Sequence, residues 1–223
     1  MILVIHDLLK EGPLAELRKL LERGSFEDGR RTAGRFVEMV KNNEQLTNEG
    51  RVREQAMALI EQALREHRLF QAAAHPRRIR SPMFSRYTQG MQYGAHVDNG
   101  LMGPDLSFRT DISMTIFISD PGDYDGGELV VESSVGERGF KLDAGSALLY
   151  PSNTLHRVAE VTRGTRLVGL TWVQSMIRSA EQRQILLDMY AVRQGIFERD
   201  GKTREFDLIA KSYDNLLRLW AEP

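Results

Sequence analysis

Between residues 79 and 174 the apolar residues recur with a period of two. That rhythm constrains the fold more than anything else in the chain. Asp111-Ile-Ser-Met-Thr-Ile-Phe-Ile118 puts Ile112, Met114, Ile116 and Ile118 on one face of a strand, because successive strand side chains point to opposite sides. Met83-Phe-Ser-Arg-Tyr87 reads as another strand, and more are expected at Glu128-Leu-Val-Val, 138–142, 146–150, 154–161 and 166–174. Gly and Pro punctuate them, most densely in the turn cluster Asp120-Pro-Gly-Asp-Tyr-Asp-Gly-Gly127. Short strands at this spacing indicate a sandwich or barrel.

Helical patterns flank the strands. Residues 2–5 read as a short strand. A helix then starts at Gly12-Pro13, with Pro at its first position, Gly24 past its end, and Leu14, Leu17, Leu20 and Leu21 on one face. The Gly-, Asn- and charge-rich segment 24–43 reads as turns with one strand at 35–39. A second helix is expected over 48–67, with Val52, Ala56, Leu59, Ile60, Ala63 and Leu64 aligned. After 174, Ser179-Ala-Glu-Gln182 is a capping box that opens a helix over 180–194. Gly195 and Asp200-Gly201 read as breaks, and a last helix over 203–220 carries Phe206, Ile209, Tyr213, Leu216, Leu217 and Trp220. That stripe is too apolar to face water. It packs within the chain or builds a homo-oligomer. The fold class is therefore α+β: a double-stranded β-helix, or jelly roll, with N-terminal helices packed on the sheet and a C-terminal helical extension. The expected divisions are 1–78, 79–174 and 175–223. A length of 223 residues with 41% hydrophobic content suits one large domain with an appendage.

The chemistry concentrates in Tyr87-Thr-Gln-Gly-Met-Gln-Tyr-Gly-Ala-His-Val-Asp98. His96 and Asp98 are two apart, so a strand here aims an imidazole and a carboxylate at one point. A third ligand must come from elsewhere, and His156 is the best candidate. It follows a strand and the Pro-Ser-Asn turn at 151–153. Two His and one carboxylate form a facial triad that leaves coordination positions open on Fe(II). Arg166 opens the apolar strand Leu167-Val-Gly-Leu-Thr-Trp-Val173 and shares a face with Val168, Leu170 and Trp172. A cation entering a buried strand needs an anion to pair with. The remaining histidines lack a second ligand at useful spacing: His67 reads as a cation at a helix C-terminus, His75 as loop and His6 as turn.

The order Tyr-x-x-Gly-x-x-Tyr-x-x-His-x-Asp, then Gly126-Gly-Glu-Leu129, His156 and Gly164-Thr-Arg166 resembles the Fe(II)/2-oxoglutarate-dependent dioxygenases of the prolyl-hydroxylase type. More narrowly it resembles the bacterial PKHD-type hydroxylases, whose members are associated with iron uptake. Asp28-Gly-Arg-Arg-Thr-Ala-Gly34 and Val40-Lys-Asn-Asn43 are similar to that subgroup as well. The resemblance implies a hydroxylase with His96, Asp98 and His156 on Fe(II). Arg166 would anchor the distal carboxylate of 2-oxoglutarate, a role for which its planar fork suits better than lysine. Tyr87 would reach the same carboxylate, or else be an aromatic of the sheet core. O2 and an unidentified substrate, a peptidyl proline or lysine or an iron-chelating small molecule, complete the reaction, which releases succinate and CO2. L-ascorbate is implied by the same resemblance. Lys141 is the next candidate anchor after Arg166, Tyr93 a wall of the site, and Asn99 a turn residue.

Other classes stay in view. A non-catalytic iron or 2-oxoglutarate sensor would use the same residues without a substrate, and a cupin-like metalloenzyme could share the jelly roll. A formal net charge of −1 supplies no field for nucleic acid or an anionic membrane. Arg77-Arg-Ile-Arg80 reads as a solvated strand edge, and the second Arg motif of nucleic-acid demethylases is absent around 163–169. There is no cysteine, hence no disulfide framework or thiolate chemistry. Met1-Ile-Leu-Val-Ile is too short for a signal-peptide core, and no apolar run reaches the roughly 20 residues of a membrane span. The expectation is a cytoplasmic protein without a nucleic-acid or membrane partner.

Overall fold

The computed structural model describes residues 1–32, 37–47 and 50–222. In chain order its strands are β1 (Leu3–Ile5), β2 (Phe26–Asp28), β3 (Lys41–Asn42), β4 (Glu44–Leu46), β5 (Pro76–Ile79), β6 (Met83–Tyr87), β7 (Gln92–His96), β8 (Leu101–Met102), β9 (Phe108–Arg109), β10 (Ile112–Phe117), β11 (Tyr124–Gly126), β12 (Leu129–Ser133), β13 (Gly136–Phe140), β14 (Ala147–Pro151), β15 (His156–Val158), β16 (Val161–Gly164) and β17 (Arg166–Ser175). The helices are α1 (Glu11–Glu22), α2 (Arg51–Glu66), α3 (Arg68–Ala74), α4 (Ala180–Asp200) and α5 (Arg204–Trp220). None of them is long and apolar enough to cross a membrane.

Two antiparallel sheets face each other. The larger runs β1-β14-β10-β17-β6-β4-β2, with β5 also paired to β17, and the smaller runs β13-β12-β15-β7-β3. The alternation read from the sequence decides which face meets what. Ile112, Met114, Ile116 and Ile118 join Phe84, Leu149 and Val173 in one core with Leu17 and Leu21 of α1, Ile60 and Leu64 of α2, and Phe70 of α3. The opposite face gives Tyr87, Phe117, Leu148, Tyr150 and Val168 to a second core, against Leu129, Val131, Phe140 and Val158 of the smaller sheet. A strand covered on both sides is apolar or small throughout, and every residue of β10 is buried. Truncating a residue such as Ile116, 0% exposed, to Ala costs about 2–5 kcal/mol in such a setting.

Several local expectations are corrected. Pro13 is the third residue of α1, not the first, with Lys10 at the N-cap. It still lies in the first turn, where its missing N–H costs no helical hydrogen bond. Of the strand expected at 35–39, residues 35–36 lie outside the described residues, and Glu38–Val40 is a 3-10 turn. The helix expected from 48 is described from Arg51, and 48–49 lie outside the described residues. The 154–161 strand is two strands, β15 and β16, because β15 pairs with β12 and β7 whereas β16 turns aside to pair with β11. Gly195 does not break α4, which runs on to Asp200 and ends at Gly201 with φ 74°. One helical glycine costs only about 0.5–1 kcal/mol, too little to stop a helix that packs against α5.

His67 sits at the end of a helix, as expected, and has a second task. It ends α2 and caps α3, its Nδ1 accepting from the Phe70 N–H at 3.3 Å. His75 is not loose loop. It closes α3 in the left-handed region, φ 40°, and is buried. Beyond β17, Ile177, Leu186 and Tyr213 form a third small core, with Leu216, Leu217 and Trp220 packed on it. Much of the C-terminal stripe is thus covered within the chain.

Candidate active site

The sheet pairing places the three expected ligands together. β15 lies beside β7 with His156 opposite His96. Asp98 follows β7 after one residue, Val97. Ligand atoms of His96, Asp98 and His156 all lie within 4.8 Å of one another, and His156 Nε2 is 3.9 Å from Asp98 Oδ2. This spacing suits donors around one metal ion.

The chain also fixes how each donor presents itself. His96 Nδ1 lies 2.8 Å from the Gly94 carbonyl and His156 Nδ1 lies 3.0 Å from the Thr154 carbonyl. A carbonyl only accepts, so each Nδ1 carries the proton and donates it, and each Nε2 keeps its lone pair for a metal. The geometry is the same in both cases: each ring turns back to the carbonyl two residues earlier. Burial, and then neighbouring His156, push His96 down to about 4. It is therefore neutral at physiological pH, as a ligand must be. The Tyr93 ring stacks on His96 with centroids 3.8 Å apart, and Tyr150 meets His156 edge-on at 5.0 Å. The Ser113 hydroxyl, on β10 of the opposite sheet, donates to Asp98 Oδ2 and lies 2.8 Å from the Ser152 hydroxyl. Sequence reading missed Ser113, Ser152 and Tyr150, because the signal is a contact between sheets and not a spacing.

Arg166 opens β17 opposite Tyr87 of β6. It is 1% exposed, yet its Nε and Nη1 have no hydrogen-bond partner. Tyr87 offers its ring face 5.0 Å from the guanidinium carbon, with Phe117 at 5.9 Å. Aromatic faces stabilise a cation but satisfy none of its N–H groups. Gly127, at φ 66°, lies close by, and a Cβ there would stand 3.0 Å from Arg166 Cδ. This close approach accounts for the second glycine of Gly126-Gly127.

His96, Asp98, His156 and Arg166 all line one cavity of about 610 Å³, together with Tyr87, Tyr93 and Asn99. Lys141 does not join them. Its ammonium donates to the Tyr124 carbonyl at 2.6 Å and lies 4.2 Å from that ring. Lys41, Asn43 and Gln45 also line the cavity; the first two fall in the Val40–Asn43 motif, but the sequence assigned none of the three a role. They lie in or beside β3 and β4, strands too short for a periodic signal. Arg80, read as strand edge, also lines the cavity, whereas Arg77 and Arg78 are exposed.

The donor set fits a divalent metal with open positions. The unpartnered buried guanidinium in the same cavity fits a carboxylate.

Comparison with known proteins points the same way. A family model described as the 2OG-Fe(II) oxygenase superfamily matches residues 82–174. A PKHD-type hydroxylase of Gloeothece citriformis is 50% identical over 222 residues, covering 100% of each chain. Another, from Crocosphaera subtropica, is 48% identical over 222 residues, again covering 100% of each. Among solved structures, a Pseudomonas putida prolyl-4-hydroxylase aligns with a TM-score of 0.52 at 19% identity, over 78% of this chain and 92% of its own. HygX from Streptomyces hygroscopicus, with nickel and 2-oxoglutarate bound, aligns with a TM-score of 0.55 at 15% identity, over 79% and 84%. These two likenesses are of fold.

Proposed function

Because this chain belongs to the PKHD-type hydroxylases, Fe(II)- and 2-oxoglutarate-dependent dioxygenases, we propose that His96, Asp98 and His156 hold the iron and Arg166 anchors the co-substrate. One observation carries the assignment: three converging ligands and one unsatisfied buried guanidinium line the same cavity. When bound, Fe(II), 2-oxoglutarate and O2 supply an oxidation that releases succinate and CO2 and inserts a hydroxyl oxygen at a substrate C–H bond.

The chain's part is placement. The carbonyls of Gly94 and Thr154 hold both imidazoles in the tautomer with Nε2 free. The Ser113 hydroxyl turns Asp98 Oδ2, and the Tyr93 ring fixes the plane of His96. Arg166 takes the distal carboxylate of 2-oxoglutarate on N–H groups that the protein leaves open. Tyr87 steadies the guanidinium with its ring. The flanking core, with Phe117 and Val168 each 1% exposed, keeps water from this end and so strengthens the charge pair.

The experiment is conversion of 2-oxoglutarate to succinate by the purified protein in air, with and without Fe(II), and in His156→Ala and Arg166→Met. The reading expects Fe(II)-dependent succinate from the native protein. His156→Ala should give none, and Arg166→Met should give it only at far higher 2-oxoglutarate. Native-like turnover in either variant contradicts the assignment of that residue.

A further inference from the structure

The cavity holds more positive charge than the co-substrate uses. Among the described residues, Lys41, Arg80 and Arg166 line it, against one acid, Asp98. A divalent metal on Asp98 would tilt the balance further.

Lys41 is the informative member. It lies on β3 opposite Tyr93 of β7, the ring that stacks on His96. Its ammonium is 5.4 Å from the Tyr93 centroid, so one aromatic ring separates it from the ligand group. Lys41 is only 6% exposed. An ammonium has three N–H donors. Among the described residues, its one hydrogen bond is to the Thr32 hydroxyl at 2.9 Å, and it forms no ion pair. Thr32 in turn donates to Gln45 Oε1 at 2.7 Å, which fixes the acceptor in place. Burial pulls Lys41 down to about 8, so at neutral pH it stays charged. Asp28 and Asp98 attract it only from a distance, and a buried charge without a direct partner costs several kcal/mol until an anion arrives.

Two further features describe what arrives. Asn43 lines the same cavity, is 3% exposed, and has both amide atoms unpartnered. Val97, Leu101 and Leu106 also line the cavity while 43%, 50% and 59% exposed, an apolar rim over a cationic interior.

We propose that Lys41 receives a carboxylate of the substrate that is hydroxylated, making that substrate an organic acid with an apolar body. This rests on the reading above, in which the metal and Arg166 account for the two ends of 2-oxoglutarate and leave Lys41 to the second reactant. Asn43 adds a donor and an acceptor for a polar group beside that carboxylate, and the rim packs the apolar part. The same charge balance disfavours a cationic target such as a lysine side chain.

The test uses the full chain, loaded without oxygen with Fe(II) and saturating 2-oxoglutarate so that nothing turns over. Hippurate, a benzoyl body with one carboxylate, is titrated in, and hippuramide serves as its neutral counterpart. Binding is read from quenching of Trp172, which lines the cavity and is one of two tryptophans. Hippurate should bind at least about tenfold more tightly than hippuramide, the scale of one charge-assisted hydrogen bond. Lys41→Met should erase that preference and Lys41→Arg should keep it. If Lys41→Met does not fold, Lys41→Gln replaces it. No preference in the native protein, or a preference that survives loss of the ammonium, overturns the proposal. So does a Lys41→Met loss that falls on 2-oxoglutarate and not on hippurate. Failure of the parent reading shows separately, as unchanged 2-oxoglutarate affinity in Arg166→Met.

Discussion

Two places in this molecule each enclose a histidine, an arginine and an aspartate. One is the cavity between the sheets, with His156, Arg166 and Asp98. The other is the joint where β17 hands over to the C-terminal helices, with His75, Arg183 and Asp111. At the joint the chain closes the bonds of both charged side chains, although His75 Nε2 has no partner. Asp111 accepts from Arg109 Nε at 2.8 Å, Arg109 Nη2 at 3.0 Å and the Ser175 N–H at 2.9 Å. Arg183 Nη1 donates to the carbonyls of Ile177 at 2.8 Å and Arg178 at 2.9 Å. In the cavity, two guanidinium nitrogens of Arg166 have no partner and the two imidazole Nε2 atoms keep free lone pairs. Residue type and burial are alike in the two places. What separates the binding site from the structural joint is the charged groups: Asp111 and Arg183 find partners within the chain, and the Arg166 guanidinium does not.

The contrast is easiest to break with the histidines. His156→Ala should lower Fe(II) affinity by more than about 100-fold, since groups that only support a ligand are already worth about 10–100-fold. His75→Ala should leave iron binding unchanged. Equilibrium dialysis with metal analysis decides between them, and equal losses in the two variants would erase the distinction.

The arginines come next. Arg166→Met should weaken 2-oxoglutarate binding by about 3–5 kcal/mol, the cost of losing one partner of a buried charge pair. Without ligand the same variant should be as stable as the native protein or more so, because an uncompensated buried charge is gone. Arg183→Met should do the reverse. Its 2-oxoglutarate affinity should hold, while stability falls by about 2–4 kcal/mol as two carbonyls lose a charged donor. Calorimetric titration and urea unfolding on both variants give the four numbers.

Acid should separate the regions too. Burial, and then the nearby Arg183, push His75 down to about 4 from an ordinary 6.5. The unfolded chain therefore takes up this proton first. Stability from neutral His75 is full above about pH 6.5 and declines as pH falls towards 4. The loss is up to about 3 kcal/mol. His75→Gln should remove that share of the acid sensitivity, measured as the difference in urea stability between pH 7 and pH 4.5. An identical decline in both proteins would place the sensitivity elsewhere. The smallest effect belongs to Ser113→Ala, which frees Asp98 Oδ2 from its donor. Iron affinity should fall about tenfold with 2-oxoglutarate binding little changed.

How far the sequence reveals these regions depends on the range of the contacts. The period-two runs at 83–87, 112–117 and 166–175 became strands because each face has its own core. His96 and Asp98 were legible through their spacing, and His156 and Arg166 through strand starts after turns. Lys41 stood in a motif shared with the subgroup, but its role was not legible, because its strand has two residues and its meaning comes from a cavity assembled by both sheets. The joint was equally hidden. Asp111 and Ser175 are far apart in sequence, and His75 stands in a segment whose short helix α3 lacks a periodic stripe. Gly195 misled in the other direction. A residue that permits a break does not impose one when the helix around it has a partner to pack on.

The most direct measurement is a crystal structure of the protein grown without oxygen with Fe(II) and 2-oxoglutarate, phased at the iron absorption edge. The account predicts one anomalous peak bounded by His96 Nε2, His156 Nε2 and Asp98, and a carboxylate on the open N–H groups of Arg166. Iron bound elsewhere, or the distal carboxylate resting on Lys41 while Arg166 stays unpaired, would contradict it.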